Sequence, residues 1–263
     1  IGYVTMGMAI VPMISPALGG LLEELFNWQA SFWALFVIGA GVMTLVWVDM
    51  GETAQASGKS LIAQFYEYPE LLRSPRFWGY ALCSAFSSGA FFALLGGASF
   101  VGSTIFGLSP MWSGIALGAP AIGYAAGNYL SGRFSVRLGI NTMAIIGTSI
   151  TIFGLGTSAV LTISGVTHPL NFFGFCIFLG LGNGIVLPNV MAGSISVRPH
   201  LAGTASGLGG AIMIGGGAAL SQFAGGMLTV ESGTLPLQLL MLSTSVLALV
   251  SVLLVIWRER SIT

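Results

Sequence analysis

Along this chain the polar residues are gathered into short breaks between long apolar runs. A helix needs about 20 mostly apolar residues to cross a bilayer. Eight stretches reach that length, at 2–22, 30–48, 77–100, 112–131, 142–163, 170–192, 203–228 and 234–257, and none holds Asp, Glu, Lys or Arg. The pattern predicts an all-α, polytopic membrane protein with eight transmembrane helices. The breaks are short except for 49–76, where Asp49, Glu52, Lys59, Glu67, Glu70, Arg73 and Arg76 mark a polar connection. A short surface helix is expected within it, around "KSLIAQFYEYPELLR".

Composition removes the water-soluble alternative. Eight Lys/Arg and eight Asp/Glu among 263 residues are too few to cover a water-facing surface, on which about a quarter of residues are ordinarily charged. Apolar residues make up 55% of the chain, and many of its 39 glycines lie inside apolar runs, as membrane helices tolerate. The lipid bilayer is therefore the first expected partner. A formal net charge of zero gives nucleic acid nothing to bind.

Little here points to chemistry. Cys83 and Cys176 lie in apolar runs without metal-ligand spacing and read as small packing residues. Glycine strings such as "GLGG" and "GIALGAPAIG" lack the preceding strand and following acid of a dinucleotide site. A membrane-embedded enzyme would need intramembrane His, Asp or Glu, and the predicted spans have none. No enzyme activity, metal or cofactor is expected.

Loop charge sets the orientation. Lys59, Arg73, Arg76, Arg133, Arg137, Arg198, Arg258 and Arg260 all fall in loops after even-numbered spans or in the tail. The opposite loops hold Glu23, Glu24, His168 and Glu231, with no Lys or Arg. By the positive-inside rule the even loops and the C-terminus are cytoplasmic. The opening "IGYVTMGMAI" begins almost inside a span, so the chain reads as a piece of a longer, N-terminally truncated protein.

An internal repeat supports that reading. Aligning "MISPALGGLL" with "ALSQFAGGML" places Ser15 on Ser221, Gly19 and Gly20 on Gly225 and Gly226, and Leu22 on Leu228. The copies lie in the first and seventh spans, an even number apart, which makes the repeat parallel, as in transporter halves. Residues 1–48 then form the last two spans of an N-terminal six-helix half. Residues 49–76 form a cytoplasmic inter-half loop, and 77–263 a C-terminal six-helix half with a short tail. Four spans are expected to precede them.

Several motifs resemble the major facilitator superfamily, and within it the drug:proton antiporters of the bicyclomycin-resistance (Bcr/CflA) family. Ser15-Pro16-Ala17-Leu18-Gly19-Gly20 is similar to the antiporter motif of the fifth of twelve spans, although Ser15 replaces a glycine and Val11 stands where another is usual. "FNWQASFW" follows it with aromatic residues at the outer interface. "GRFSVRLG" resembles the Gly-rich basic motif after the eighth span, through Gly132, Arg133, Arg137 and Gly139. "GLGNGIVLPNVMAG" resembles the tenth span, and "AGTASGLGG" the start of the eleventh. On this resemblance the eight helices correspond to spans five to twelve of a twelve-span fold.

The bent first span has a physical rationale in lipid. Pro16 leaves the carbonyl of Pro12 without its helical donor, which neighbouring helices can shield. Gly19 and Gly20 permit the close approach of another helix. The resemblance implies that this bend seals the outer side of the bundle; plain helix packing is the other reading.

Polar residues inside the spans are few and costly, hence informative. Asn128, Asn183, Asn189 and Gln222 read either as interhelical hydrogen bonds, each worth roughly 0.6 kcal/mol, or as substrate contacts. In the family fold the seventh and tenth spans line the central cavity. They correspond to the third and sixth spans here, which makes Asn183 a candidate contact, while Asn189, nearer the cytoplasm, reads as structural or gating. In the third span Phe86, Phe91 and Phe92 lie beside Ser84, Ser87 and Ser88, a wall suited to amphiphilic compounds or to lipid. Phe86 and Phe92 are about a third of a turn apart, so not every one of these rings can face a cavity.

The resemblance implies a monomeric secondary active transporter of the cell (inner) membrane that exports small amphiphilic compounds or drugs in exchange for protons. The alternatives are a major facilitator exporter of a sugar or other metabolite, and a pore-forming or structural membrane subunit. A channel would more often carry rings of one charge or a filter loop. The proton-coupling group is expected in the four preceding spans.

Overall fold

A computed structural model describes residue 15, residues 18–49 and residues 68–260. Among these residues there is no strand. Residues 18–25 are helical, and α1 (Trp28–Asp49) follows after a short turn. Within the polar connection lies the short α2 (Tyr68–Leu72). The remaining helices are α3 (Pro75–Phe100), α4 (Pro110–Leu117), α5 (Ala119–Leu138), α6 (Ile140–Ile163), α7 (Phe175–Ser196), α8 (Ala202–Met227) and α9 (Leu235–Arg260). A wider π turn at Val101–Ile105 prolongs α3, and another at Leu170–Gly174 leads into α7.

Six helical segments among the described residues are long and apolar enough to cross a membrane: Trp28–Asp49, Pro75–Ile105, Ile140–Ile163, Leu170–Ser196, Pro199–Met227 and Leu235–Arg260. Most of the first predicted span, including Pro12 and Pro16, lies outside the described residues. The stretch 112–131, expected as one helix, is divided at Gly118 into α4 and α5. Pro120 is the cause, because it has no N–H to return to the carbonyl of Ala116. The chain tightens there, and the N–H of Gly118 reaches the carbonyl of Ile115 at 2.9 Å.

Helix starts follow their sequence signals. Ser74 and Ser109 cap α3 and α4, accepting from the N–H of Phe77 at 3.5 Å and of Trp112 at 3.4 Å. Pro75 and Pro110 come next, in the first turn, where a missing N–H is harmless. Between α5 and α6 a single residue turns the chain. Gly139 has φ +83°, a conformation that disfavours any side chain.

In the bundle α7 packs between α5 and α6 and also meets α3, while α3 packs against α8 and α9 and α9 returns to α6. Lipid offers no hydrophobic drive for these contacts, so close packing of small residues has to supply it. Gly127 of α5 faces Gly184 of α7, and one turn away on α5 Gly123 lies against the backbone of Ile177 and Leu181. A Cβ at Gly180 would run into the carbonyl of Pro120, and one at Gly184 into the carbonyl of Tyr124. On another side of α7, Gly182 lies against Gly147 and Thr151 of α6.

Two apolar clusters fill the bundle. One joins Leu71, Phe77, Tyr80, Val190 and Val252, so α2 is anchored by Leu71 rather than floating on the surface. The other joins Leu94, Leu155, Phe172, Phe173 and Met241. By contrast α1 has no buried residue among those described.

The arginines gather at one end of the bundle, two of them paired with acids there. Arg76 pairs with Glu259 at 2.6 Å, Asn141 donates to the second carboxylate oxygen of Glu259 at 2.7 Å, and the Tyr80 hydroxyl donates to Asn141 at 2.8 Å. These contacts bring together the start of α3, the start of α6 and the end of α9. Arg198, after α7, pairs with Glu70 at 2.9 Å near the same end. Glu231 lies in the loop between α8 and α9, at the opposite end.

Candidate functional site

An apolar cavity of about 250 Å³ lies among α3, the α4–α5 junction, α7 and α8. From α3 come Ser88, Phe91 and Phe92. Leu117, Pro120, Ala121 and Tyr124 line it from the divided span, so the break at Gly118 borders the cavity. Gly180, Asn183 and Leu187 line it from α7, and Met213 from α8. Each set recurs at intervals of one, three or four residues, the spacing of one helix face. Most of the wall is apolar, with a few polar groups, as small-molecule sites usually are.

The aromatic wall depends on a neighbour without a side chain. The ring of Phe92 fills the space that a Cβ at Gly217 of α8 would occupy. Phe91 and Phe92 stand edge to face, with centroids 6.5 Å apart.

Polar groups are few and mostly engaged. Ser88 donates to the carbonyl of Ser84 at 2.8 Å, within its own helix. Asn183 is 4% exposed, and its Oδ1 accepts from the Ser87 hydroxyl at 2.7 Å, tying α7 to α3. Helix geometry explains the pairing: Ser87 sits one turn before Phe91, on the side of α3 that meets α7.

The structure gathers Phe91, Phe92 and Asn183 around one space. Phe86 does not line it; its ring packs on the cluster containing Tyr80 and Val190. Asn128 does not line it either. Its Nδ2 donates to the carbonyl of Tyr124 at 2.9 Å, behind the cavity wall. Asn189 donates to Ser131 of α5 at 2.9 Å and to the carbonyl of Ile185 at 2.7 Å, an interhelical link beside the mid-helix Pro188. Tyr124, Pro120 and Met213 were not picked out from the sequence. The spacing of Leu117, Ala121 and Tyr124 along one face was the available signal.

The other two motifs sit elsewhere. Ser15 is exposed, Pro16 lies outside the described residues, Gly19 is half-buried in open space, and Gly20 is buried against Pro110. Arg133 lies in α5 within 3.1 Å of the Tyr129 hydroxyl and over the Phe134 ring. Arg137 occupies the last turn, where a cation complements the helix dipole. Gly132 has nothing nearby, and Gly139 makes the one-residue turn.

The sequence profile of the Major Facilitator Superfamily matches residues 1–222. The chain belongs to the Major Facilitator Superfamily. Its relatives in this family include an uncharacterized MFS-type transporter, YdgK, of Bacillus subtilis, 27% identical over 91% of the chain and 60% of the relative. A bicyclomycin resistance protein homolog of Haemophilus influenzae is 26% identical, over 85% of the chain and 57% of the relative. Multidrug resistance protein D of Escherichia coli is 26% identical, over 81% and 53%. The chain thus spans little more than half the length of these relatives. Family membership makes it a multi-pass membrane protein of a transporter family, and the cavity lies inside its helix bundle.

Proposed function

We propose that this chain forms the substrate-holding part of a secondary transporter that exports small amphiphilic compounds across the cytoplasmic membrane in exchange for protons. The observation that carries the reading is the cavity walled by Phe91, Phe92, Leu187 and Met213 around a single buried amide, Asn183. Aromatic rings and a flexible methionine make many weak contacts and adapt to varied shapes. The names of two relatives, a bicyclomycin resistance protein homolog and a multidrug resistance protein, support the same substrate class.

Alternating access would rock this bundle against a second one, with residues 18–25 at the contact. The glycine at position 20 and the acid at position 24 meet α4 there. Residues 77–263 act as one half, the connection around 49–76 and the C-terminus face the cytoplasm, and the arginine-rich end lies inside. Between Phe77 and Trp257, the apolar spans carry no charged side chain. The titratable group for proton coupling is therefore placed in the part of the relatives' length that this chain does not span.

Everted membrane vesicles carrying the protein as the cell makes it provide the test. A fluorescent amphiphile should accumulate when a proton gradient is imposed and should leave when a protonophore is added. Movement of sugars but not of amphiphiles would replace this reading with that of a metabolite exporter. Movement indifferent to the protonophore would remove the proton coupling.

A further inference from the structure

Asn183 turns one end of its amide to α3 and the other to the cavity. Its Oδ1 is occupied, accepting from the Ser87 hydroxyl at 2.7 Å, and both residues are at least nine-tenths buried. Its Nδ2 makes no hydrogen bond to any described residue, yet it is not sealed from the cavity as the Oδ1 of Asn128 is sealed within the protein. Ser88, the nearest lining hydroxyl on α3, already donates to the carbonyl of Ser84. The cavity therefore offers the Asn183 Nδ2 as a directed, unmet donor in a largely apolar wall, the Tyr124 hydroxyl being the other lining group able to donate.

We infer that the cavity selects compounds bearing a hydrogen-bond acceptor, with Asn183 as the donor and Ser87 as the positioning residue that holds its amide at the cavity wall. This rests on reading the cavity as the substrate site. A buried donor left without a partner is unfavourable, so a ligand carbonyl or ether oxygen gains by meeting it, while an apolar or donor group at that point gains nothing. A site built around one polar group discriminates more sharply than one that only matches shape.

Three probes with one two-ring skeleton separate the outcomes: benzophenone carries a bridging acceptor, diphenylamine a bridging donor, and diphenylmethane neither. Binding is measured by equilibrium dialysis of the purified protein in detergent, with protein-free micelles as the blank. Benzophenone should bind roughly fivefold more tightly than diphenylmethane, the ratio for one neutral hydrogen bond, and diphenylamine should show no such gain. Ser87→Ala should reduce the preference to less than about twofold by leaving the amide without its anchor on α3, while Ser87→Thr should keep it. Asn183→Leu should abolish the preference yet still bind diphenylmethane. Equal binding of all three probes, or a preference for diphenylamine, overturns the donor assignment while leaving the cavity as a binding site. An unchanged preference in Ser87→Ala overturns the positioning role. Binding of none of the probes defeats the cavity reading itself, and this inference with it.

Discussion

Gly20 stands directly against Pro110, the first residue of α4: a Cβ at position 20 would lie 2.7 Å from the Pro110 carbonyl oxygen. One turn further on, Glu24 accepts a hydrogen bond from the N–H of Met111 at 3.2 Å. The carboxylate thereby meets one of the unsatisfied donors of a helix N-terminus. These two contacts hold the segment before α1 on the end of the bundle opposite the arginines.

Gly20→Leu is expected to insert into the membrane at a normal level and to lose export by more than about tenfold, because a side chain there prevents the close approach. Gly19 has nothing within 4 Å of a built Cβ, so Gly19→Leu should stay within about twofold of the unmodified protein. Drug-susceptibility assays on cells with matched expression compare the two. Equal export by both variants would reduce this contact to ordinary packing.

The glycine seam between α5 and α7 should dominate stability. Gly184→Leu forces a side chain into the carbonyl of Tyr124 and the N–H of Asn128. Overpacking of this kind costs about 1–3 kcal/mol or more. Gly203→Ala, in open space at the start of α8, should be neutral or slightly stabilising, since alanine favours a helix by about 1 kcal/mol. Thermal unfolding in detergent, followed by circular dichroism, should rank the two in that order.

Shortening Phe92 to alanine opens the cavity toward Gly217, because the ring occupies the space beside that glycine. The expected result is a changed order of preferred compounds rather than loss of all export, with bulky compounds gaining on small ones. Asn183→Ala should shift the order differently, against acceptor-bearing compounds. A resistance profile across a panel of unrelated drugs would expose either change, and two unchanged profiles would remove the cavity as the substrate site.

Single cysteines report the orientation. Introduced at Thr229, between α8 and α9, a thiol should react with an impermeant maleimide added outside intact spheroplasts. Introduced at Arg137, at the end of α5, it should react only after the membrane is opened. Labelling of both from outside would contradict a cytoplasmic position for the arginine-rich end.

A purified, reconstituted 263-residue chain should move no substrate under an imposed proton gradient, because its apolar spans contain no Asp, Glu, His, Lys or Arg whose protonation could bias the conformational equilibrium. Gradient-driven uptake by the chain alone would place the coupling group within it after all.

Helices were the most legible feature of the sequence, since length and hydropathy alone identify a segment that can cross a bilayer. Less legible was the division of one span at Gly118. Pro120 announces a missing hydrogen bond, but whether a helix bends, tightens or breaks depends on what packs beside it, here Gly180. The two π turns left no trace in hydropathy, because a wider turn changes the register of a helix without changing its composition. At the cavity, Phe91, Phe92 and Asn183 could be marked by residue type, whereas the different surroundings of Phe86 and Asn128 could not. Facing is set by which neighbour lies on each side of a helix, and one sequence does not order its helices in space. The link from Ser87 to Asn183 joins residues 96 positions apart and becomes visible only once α3 and α7 are side by side.

The contact between Arg76 and Glu259 has a consequence for how the protein is made. The two residues are separated by 183 positions, and Asn141 shares the same carboxylate. At about 5–20 residues per second, a ribosome reaches Glu259 on the order of ten to forty seconds after Arg76. Until then the guanidinium at the start of α3 has no Glu259 to pair with. The contact that joins the starts of α3 and α6 to the end of α9 therefore closes only once the last turn of α9 has been made, and a chain that stops short of it leaves Arg76 and the Asn141 Nδ2 without the carboxylate they share.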